Sequence, residues 1–307
     1  MWPDLPYAAW RDTLQTVHLW TQIVGKVRLM LTPWLNHSWH VPLYVTARGI
    51  GTSPIPLGDE ILEIDFDFVA HRLIARTSRG GEDGFALAPI SVADFYERVF
   101  DILRGLNVTV TIDDTPSEMT GVPRYSEDRL HASYDPEAMH RFWRALVQAD
   151  QVFKLFRSGF LGKASPVHFF WGSFDLAATR FSGRTAPKHP GGVPGLPDAV
   201  ACEAYSHEEC SAGFWPGNEA FPHAAFYSYA YPEPAGYRDR PVNPGAHFDA
   251  KLGEFILPYD TVRAAVDPDA LLLDFLSTTY AAAADCGGWN RATLECPLGV
   301  PGRVRPI

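Results

Sequence analysis

Two stretches of this chain, 128 positions apart, carry the same pattern, and that recurrence limits its possible folds more than any other feature. Under that shift Lys26 falls on Lys154 and His40 on His168, with no gap needed between them. Their surroundings agree in kind. A long amphipathic segment (Leu14 to Leu31; Phe142 to Phe160) leads to a break rich in Pro, Gly and Ser, and then to an apolar strand, 40–48 in one copy and 168–175 in the other. The ends of the copies match too. A short apolar strand (85–89; 255–258) precedes a helix whose N-cap is Ser91 or Asp267, with Pro268 at the first helical position, where its missing N–H costs nothing.

Each half therefore reads helix, several strands, helix. The expected fold class is α+β: internally duplicated helix–antiparallel sheet–helix units packed about a pseudo-twofold axis, with two sheets or one continuous sheet. The boundaries expected are 1–112 for the first repeat, 113–134 for a connector, 135–290 for the second repeat and 291–307 for a C-terminal tail. Within the first repeat, 61–68 alternates strictly between apolar and polar residues, and a turn at Val69-Ala70 joins it to 71–77 as a hairpin. The period of two places Glu63, Asp65 and Asp67 on one face, which reads as a solvated strand face rather than a cation site. An aromatic strand over 224–231 ends at Pro232 and Pro234.

Composition removes several function classes. With 46% hydrophobic residues, nine Trp, twelve Tyr and nineteen Phe, a chain of 307 residues buries a large core and is not disordered. A net charge of −10 argues against sequence-independent nucleic-acid binding, which needs basic surface to displace counterions. The N-terminus has acids and prolines where a signal peptide needs a basic region and an apolar run, and no apolar run approaches a membrane span. The expectation is a cytoplasmic protein with a small-molecule partner, bound neither to nucleic acid nor to a membrane. Its four cysteines then read as free thiols.

No dinucleotide fingerprint, P-loop, H-E-x-x-H, G-x-S-x-G or C-x-x-C is present. Cys202, His207 and Cys210 spell C-x4-H-x2-C, but a structural zinc takes four ligands, commonly in tighter cysteine pairs. What remains is a set of polar residues within aromatic sequence. His40 and His168 head their strands and suit metal ligation or proton transfer near neutrality. The alternative is that each imidazole bonds a carbonyl at a helix–strand corner. Lys26 and Lys154 on the long helices, and Arg180 beyond the aromatic strand, are candidate ligand-binding cations that could equally snorkel to the surface. Glu203 and His207 have i,i+4 spacing and could meet on one helix face, the alternative being a surface pair. With Asp175 and His168 they form a donor set adequate in kind for non-haem iron or zinc.

The runs HLWTQIVGKVRL (18–29), HVPLYVTARG (40–49), SPVHFFWGSFDLAATRFSG (165–183), HPGGVP (189–194), EAYSHE (203–208) and AGFWPG (212–217) resemble those of one bacterial family, DUF5996, whose function is undetermined. The resemblance runs along nearly the whole chain. It implies membership and no activity, cofactor or catalytic residue.

The leading expectation is an enzyme acting on a small polar or anionic molecule, with metal assistance from a divalent ion such as iron or zinc as one form of it. Its aromatic walls would come from Trp171, Phe174, Phe214, Trp215 and Tyr229. His168, His207, Glu203 and Asp175 are the expected catalytic residues, the first three doubling as metal ligands. The competing reading is a non-catalytic ligand-binding or interaction module whose aromatic strands form a core or an interface.

Overall fold

A computed structural model describes residues 2–305. Helix α1 (Tyr7–Leu31) is enclosed, with nearly every side chain from Thr13 to Arg28 buried. It stops at Thr32, where Pro33 disfavours helical backbone and Thr32 is extended. Helix α2 (Val92–Gly105) begins at Ser91, whose hydroxyl accepts from Asp94 N at 3.1 Å. Helix α3 (Pro136–Ser158) is capped by Asp135, which accepts from Glu137 N and Ala138 N. Helix α6 (Pro268–Cys286) is capped by Asp267, which accepts from Ala270 N. Short helices α4 (Asp198–Ala204), α5 (Tyr259–Arg263) and α7 (Arg291–Leu294) lie between or after the larger elements.

The first half holds β1 (Tyr44–Val45), β2 (Gly49–Gly51), β3 (Ile55–Leu57), β4 (Glu60–Asp67), β5 (Arg72–Thr77) and β6 (Glu82–Ala86). They form an antiparallel sheet ordered β1-β2-β4-β5-β6, with β3 also paired to β4. The second half holds β7 (His168–Phe170), β8 (Asp175–Thr185), β9 (His207–Trp215), β10 (Ala225–Tyr231), β11 (His247–Asp249) and β12 (Glu254–Pro258), ordered β11-β12-β10-β9-β8-β7 and again antiparallel. Leu43 and Phe169 exchange two backbone hydrogen bonds of 2.8 Å, so the sheets meet edge to edge. One cluster of buried side chains runs through both halves, from Trp20 and Phe95 to Phe142, Phe214 and Phe275.

The α+β class is as expected, and so are the caps and the β4–β5 hairpin, where Phe66 faces Leu73. Both halves run helix, antiparallel sheet, helix. That shared order does not establish a duplication: β3 branches from the first sheet, and β11 adds an outer strand to the second. Duplication stays a proposal, tested by superposing 10–105 on 140–280.

Three expectations need correction. The strand expected over 40–48 shortens to β1, and His40 lies in the turn before it. The strand expected over 168–175 folds back on itself. Phe174, with φ 60°, donates its N–H to Phe170 O, so Asp175 comes to lie opposite Phe170 across a hairpin. Asp67 is buried rather than solvated, because Arg48 pairs with it at 2.5 Å and it accepts from Val69 N and Ala70 N in the hairpin turn.

Candidate functional site

Period-two alternation gives the second sheet two faces of different character. On one face Leu176, Ala178 and Arg180 of β8, Cys210, Ala212 and Phe214 of β9, and Phe226 of β10 are buried in the core. Helices α3 and α6 cover this face, with Phe142 against Phe214 and Phe153 against Phe226. The other face presents Phe170, Asp175, Ala177, Thr179 and Phe181, then Glu209, Ser211 and Trp215, then Tyr227 and Tyr229, and finally Glu254. It is not packed flat against anything. It forms the floor of a cavity of about 670 Å³.

The walls are built by a polar stripe on α1. His18, Gln22 and Lys26 recur every four residues and so share a face. The His18 ring bonds Gly172 O at 2.8 Å. Gln22 donates to Ser117 O and accepts from Ser117 N and Tyr125 OH. Lys26 donates to Asp113 O at 3.1 Å and to Thr115 O. The connector is thereby pinned to the helix and carries Glu118 to the cavity. Trp171 closes a neighbouring wall. It lies against Gly25, where an added Cβ would come within 2.3 Å of the indole, and donates to Val41 O at 2.8 Å. Residues 34–41 and the segment from Val193 to Tyr205, including α4, complete the enclosure.

The polar groups inside are mostly acids and phenols. Asp175 accepts from Ser173 Oγ at 2.6 Å and from the Tyr227 hydroxyl. Burial raises its pKa above the usual carboxylate range, and those two donors only partly offset it. Glu118 is pushed up to about 7 by loss of water and by Asp175. It lines the cavity and is itself exposed. Glu254 rises to about 7 by burial, with Asp175 and Asp249 adding to it. Glu209 is 6% exposed and is pushed up to about 8 by burial, against which Lys163 acts. The Tyr205 and Tyr229 hydroxyls are 3.1 Å apart, and Thr179 Oγ1 meets Ser211 Oγ at 2.9 Å. Tyr227 can lie over the floor because Gly213 is beneath it: a Cβ there would come within 2.3 Å of the phenol.

Of the residues singled out in the sequence, Asp175, Lys26, Trp171, Trp215 and Tyr229 line this cavity. The others do not. His168 shares the cavity face of β7, opposite Ala177, but Trp39, Tyr44 and Phe170 close over it. It is 0% exposed, neither ring nitrogen has a partner among the described residues, and burial with nearby Arg28 and Arg157 pushes its pKa down to about 3. His40 is buried against Trp34 and accepts from Leu35 N. Glu203 ends α4 and His207 opens β9, so the helix stops between them and the i,i+4 pairing is not made. Glu203 instead accepts from Trp34 Nε1, and His207 bonds Ser206 Oγ. Lys154, itself exposed, pairs with the buried Asp150 four residues before it. Arg180 lies on the helix-covered face with its guanidinium 3.6 Å from the Phe156 ring centre, and Phe174 and Phe214 are core residues. Lys26 reaches the cavity, but its ammonium is committed to the connector.

Among the described residues no three His, Cys, Asp or Glu side chains converge as a metal site. The candidate ligands His168, His207 and Glu203 share no hydrogen bond with one another; each has the separate surroundings described above.

Sequence reasoning missed Glu118, Glu209, Glu254, Tyr205 and Tyr227. Glu209 and its neighbours were legible: Glu209, Ser211, Gly213 and Trp215 alternate with Cys210, Ala212 and Phe214, the signature of a strand with one polar and one apolar face. A helical spacing was read across that strand's start. Glu118 carried no comparable signal, since its position depends on contacts to a helix ninety-odd residues away.

The chain is thus an α+β protein of two edge-joined antiparallel sheets, the second forming the floor of an acidic, aromatic cavity. Residues 2–296 match the family of unknown function DUF5996, and the chain belongs to that family. No curated protein and no solved structure matches it. Among the described residues no helix is long and apolar enough to cross a membrane.

Proposed function

We propose that the cavity on the second sheet binds a small polar molecule and acts on it by general acid–base catalysis. The observation that carries this reading is that Asp175, Glu118, Glu209 and Glu254 line one enclosure together with three tyrosines and with Trp39, Phe170, Trp171, Phe181 and Trp215. An apolar enclosure with a few converging polar groups is the usual form of a small-molecule site. Carboxyls titrating at about 7 and 8 are suited to exchange protons at neutral pH. Asp175 is held in orientation by Ser173 and Tyr227, as a base or a charge stabiliser needs to be. The proposed partner is a small molecule, with neither nucleic acid nor membrane involved.

A fragment panel spanning cationic, neutral and anionic compounds tests the site. Binding is expected to be lost in Leu196→Trp, which puts an indole into the cavity from a loop, and to weaken about tenfold or more in Asp175→Asn. A ligand bound in the cavity and left chemically unchanged in prolonged incubation would establish the non-catalytic reading. Binding indifferent to Leu196→Trp would remove the cavity from consideration.

A further inference from the structure

We infer that the molecule bound in this cavity carries a positively charged nitrogen, an ammonium or guanidinium group. The inference rests on the cavity being the ligand site and deepens that reading.

Glu209 is the anchor of the argument. It is 6% exposed and lines the cavity, and no described residue donates a hydrogen bond to its carboxylate. Lys163 is the cation that acts on it, but that ammonium donates to His37 Nε2 at 2.5 Å and lies 4.8 Å from the Phe181 ring centre and 5.3 Å from that of Trp39. A buried acceptor aimed into an enclosure calls for a donor from what fills the enclosure.

The rest of the lining points the same way. Asp175 is held by two hydroxyl donors and makes no ion pair among the described residues, and neither do Glu118 and Glu254. Lys26 is bonded to the Asp113 and Thr115 carbonyls and lies 3.6 Å from the Asp113 carboxylate, so it offers little to an anion. An anionic ligand would meet four acidic side chains and oppose their ionisation further. A neutral one would leave Asp175 repelling Glu118 and Glu254. A cation relieves that repulsion and meets a lining rich in aromatic side chains, Trp171 and Trp215 among them. The raised carboxyl pKa values agree with this, because a bound cation favours ionisation and expels protons.

Calorimetry with four matched probes tests the inference: phenethylamine, phenethylguanidine, 2-phenylethanol and 3-phenylpropionate. The two cations are expected to bind at least about tenfold tighter than the alcohol, a difference of about 1.4 kcal/mol, with the acid weakest. Titrations at pH 7 in two buffers of different ionisation enthalpy should register proton release for the cations alone. Glu209→Gln should weaken the amine about fivefold or more and the alcohol less than twofold. Should that variant fail to fold, 1 M salt applied to the unaltered protein should give the same split. If the alcohol or the acid binds as tightly as the amine and Leu196→Trp blocks it, the charge inference is wrong and the cavity reading stands. If the amine binds regardless of Leu196→Trp, or none of the four binds, the inference falls; binding of no compound in the wider panel would take the cavity reading with it.

Discussion

Strand β4 and the cavity floor each carry a row of acids, and the two rows are treated in opposite ways. On β4, Asp65 pairs with Arg76 at 2.9 Å and Asp67 with Arg48 at 2.5 Å. Burial works against ionisation of Asp67, but Arg48 and the N–H groups of Ala70 and Val69 outweigh it and hold its pKa below the usual range. In the cavity Asp175 has only hydroxyl donors, Glu209 has none, and the pKa values of the floor acids Asp175, Glu209 and Glu254 and of Glu118 on the connector are all raised. An acid satisfied by its own chain is a structural acid. An acid left unsatisfied in an enclosure costs stability, and a fold keeps it when something else completes it.

The largest effect should come from removing the wall that keeps the second row enclosed. Trp171 is 7% exposed, packs on Gly25 and holds Val41 O, and so ties α1, the β7–β8 hairpin and the seam between the sheets together. Trp171→Ala should cost about 3–5 kcal/mol in denaturant unfolding and abolish ligand binding. A loss under 1 kcal/mol would mean that the enclosure is not built as described.

His168 offers a smaller and more selective break. It faces the same side as Asp175 and Glu209, but Trp39 and Tyr44 seal it off. His168→Gln is expected to cost about 1–3 kcal/mol, as a change at a buried polar group does, while leaving cavity affinity unchanged. Loss of binding at unchanged stability would return His168 to the site.

These two residues also mark how far the sequence could be read. Trp171 and His168 both marked an aromatic strand, but not that it turns back on itself before Asp175. The caps at Ser91 and Asp267, the long helices and the β4–β5 hairpin were legible as well, since each depends on neighbours within a few positions. Which face of the hairpin meets a cavity was not legible. It depends on Phe174 turning the chain and on Trp39 covering one histidine, both set by packing from elsewhere. Lys26 illustrates the same limit. Its position was found, but its partners, the carbonyls of Asp113 and Thr115, lie some ninety residues on. Periodicity on β9 would have revealed Glu209, whereas nothing local foretold Glu118.

The pH dependence of stability sharpens the contrast between the two rows. The Glu209 pKa is raised in the folded protein to about 8 from an ordinary 4.5. Its contribution is therefore greatest below about 4.5 and is lost as pH rises through 8. His18 and His168 are shifted the other way, to about 4 and 3, so their contribution is present above 6.5 and is lost on acidification. Between pH 6.5 and 8.5 the carboxyls act throughout, and the histidines only in the lower half of that window, while the unfolded imidazoles finish losing their protons. The protein should lose stability across that window, and Glu209→Gln should remove about 1–2 kcal/mol of the loss. An unchanged slope in the variant would show that Glu209 titrates normally and that the cavity does not desolvate it.

The smallest effect belongs to the row whose acids are already satisfied. Arg76 sits between Asp65 and Glu82 at 2.9 and 2.8 Å, with its own side chain 41% exposed. Water screens such pairs and can replace the guanidinium when it is removed. Arg76→Ala should therefore cost no more than about 1 kcal/mol, leave the slope between pH 6.5 and 8.5 as it was, and leave amine affinity untouched. Asp65 is the group to watch in that variant. Burial already raises its pKa and Arg76 opposes that, so its carboxyl should titrate higher still once the arginine is gone, which the pH dependence of its side-chain NMR shift would record. If Arg76→Ala instead steepened the neutral-pH slope as strongly as Glu209→Gln flattens it, β4 would be holding its acids under the same strain as the cavity, and the distinction between paired and waiting carboxylates would not hold.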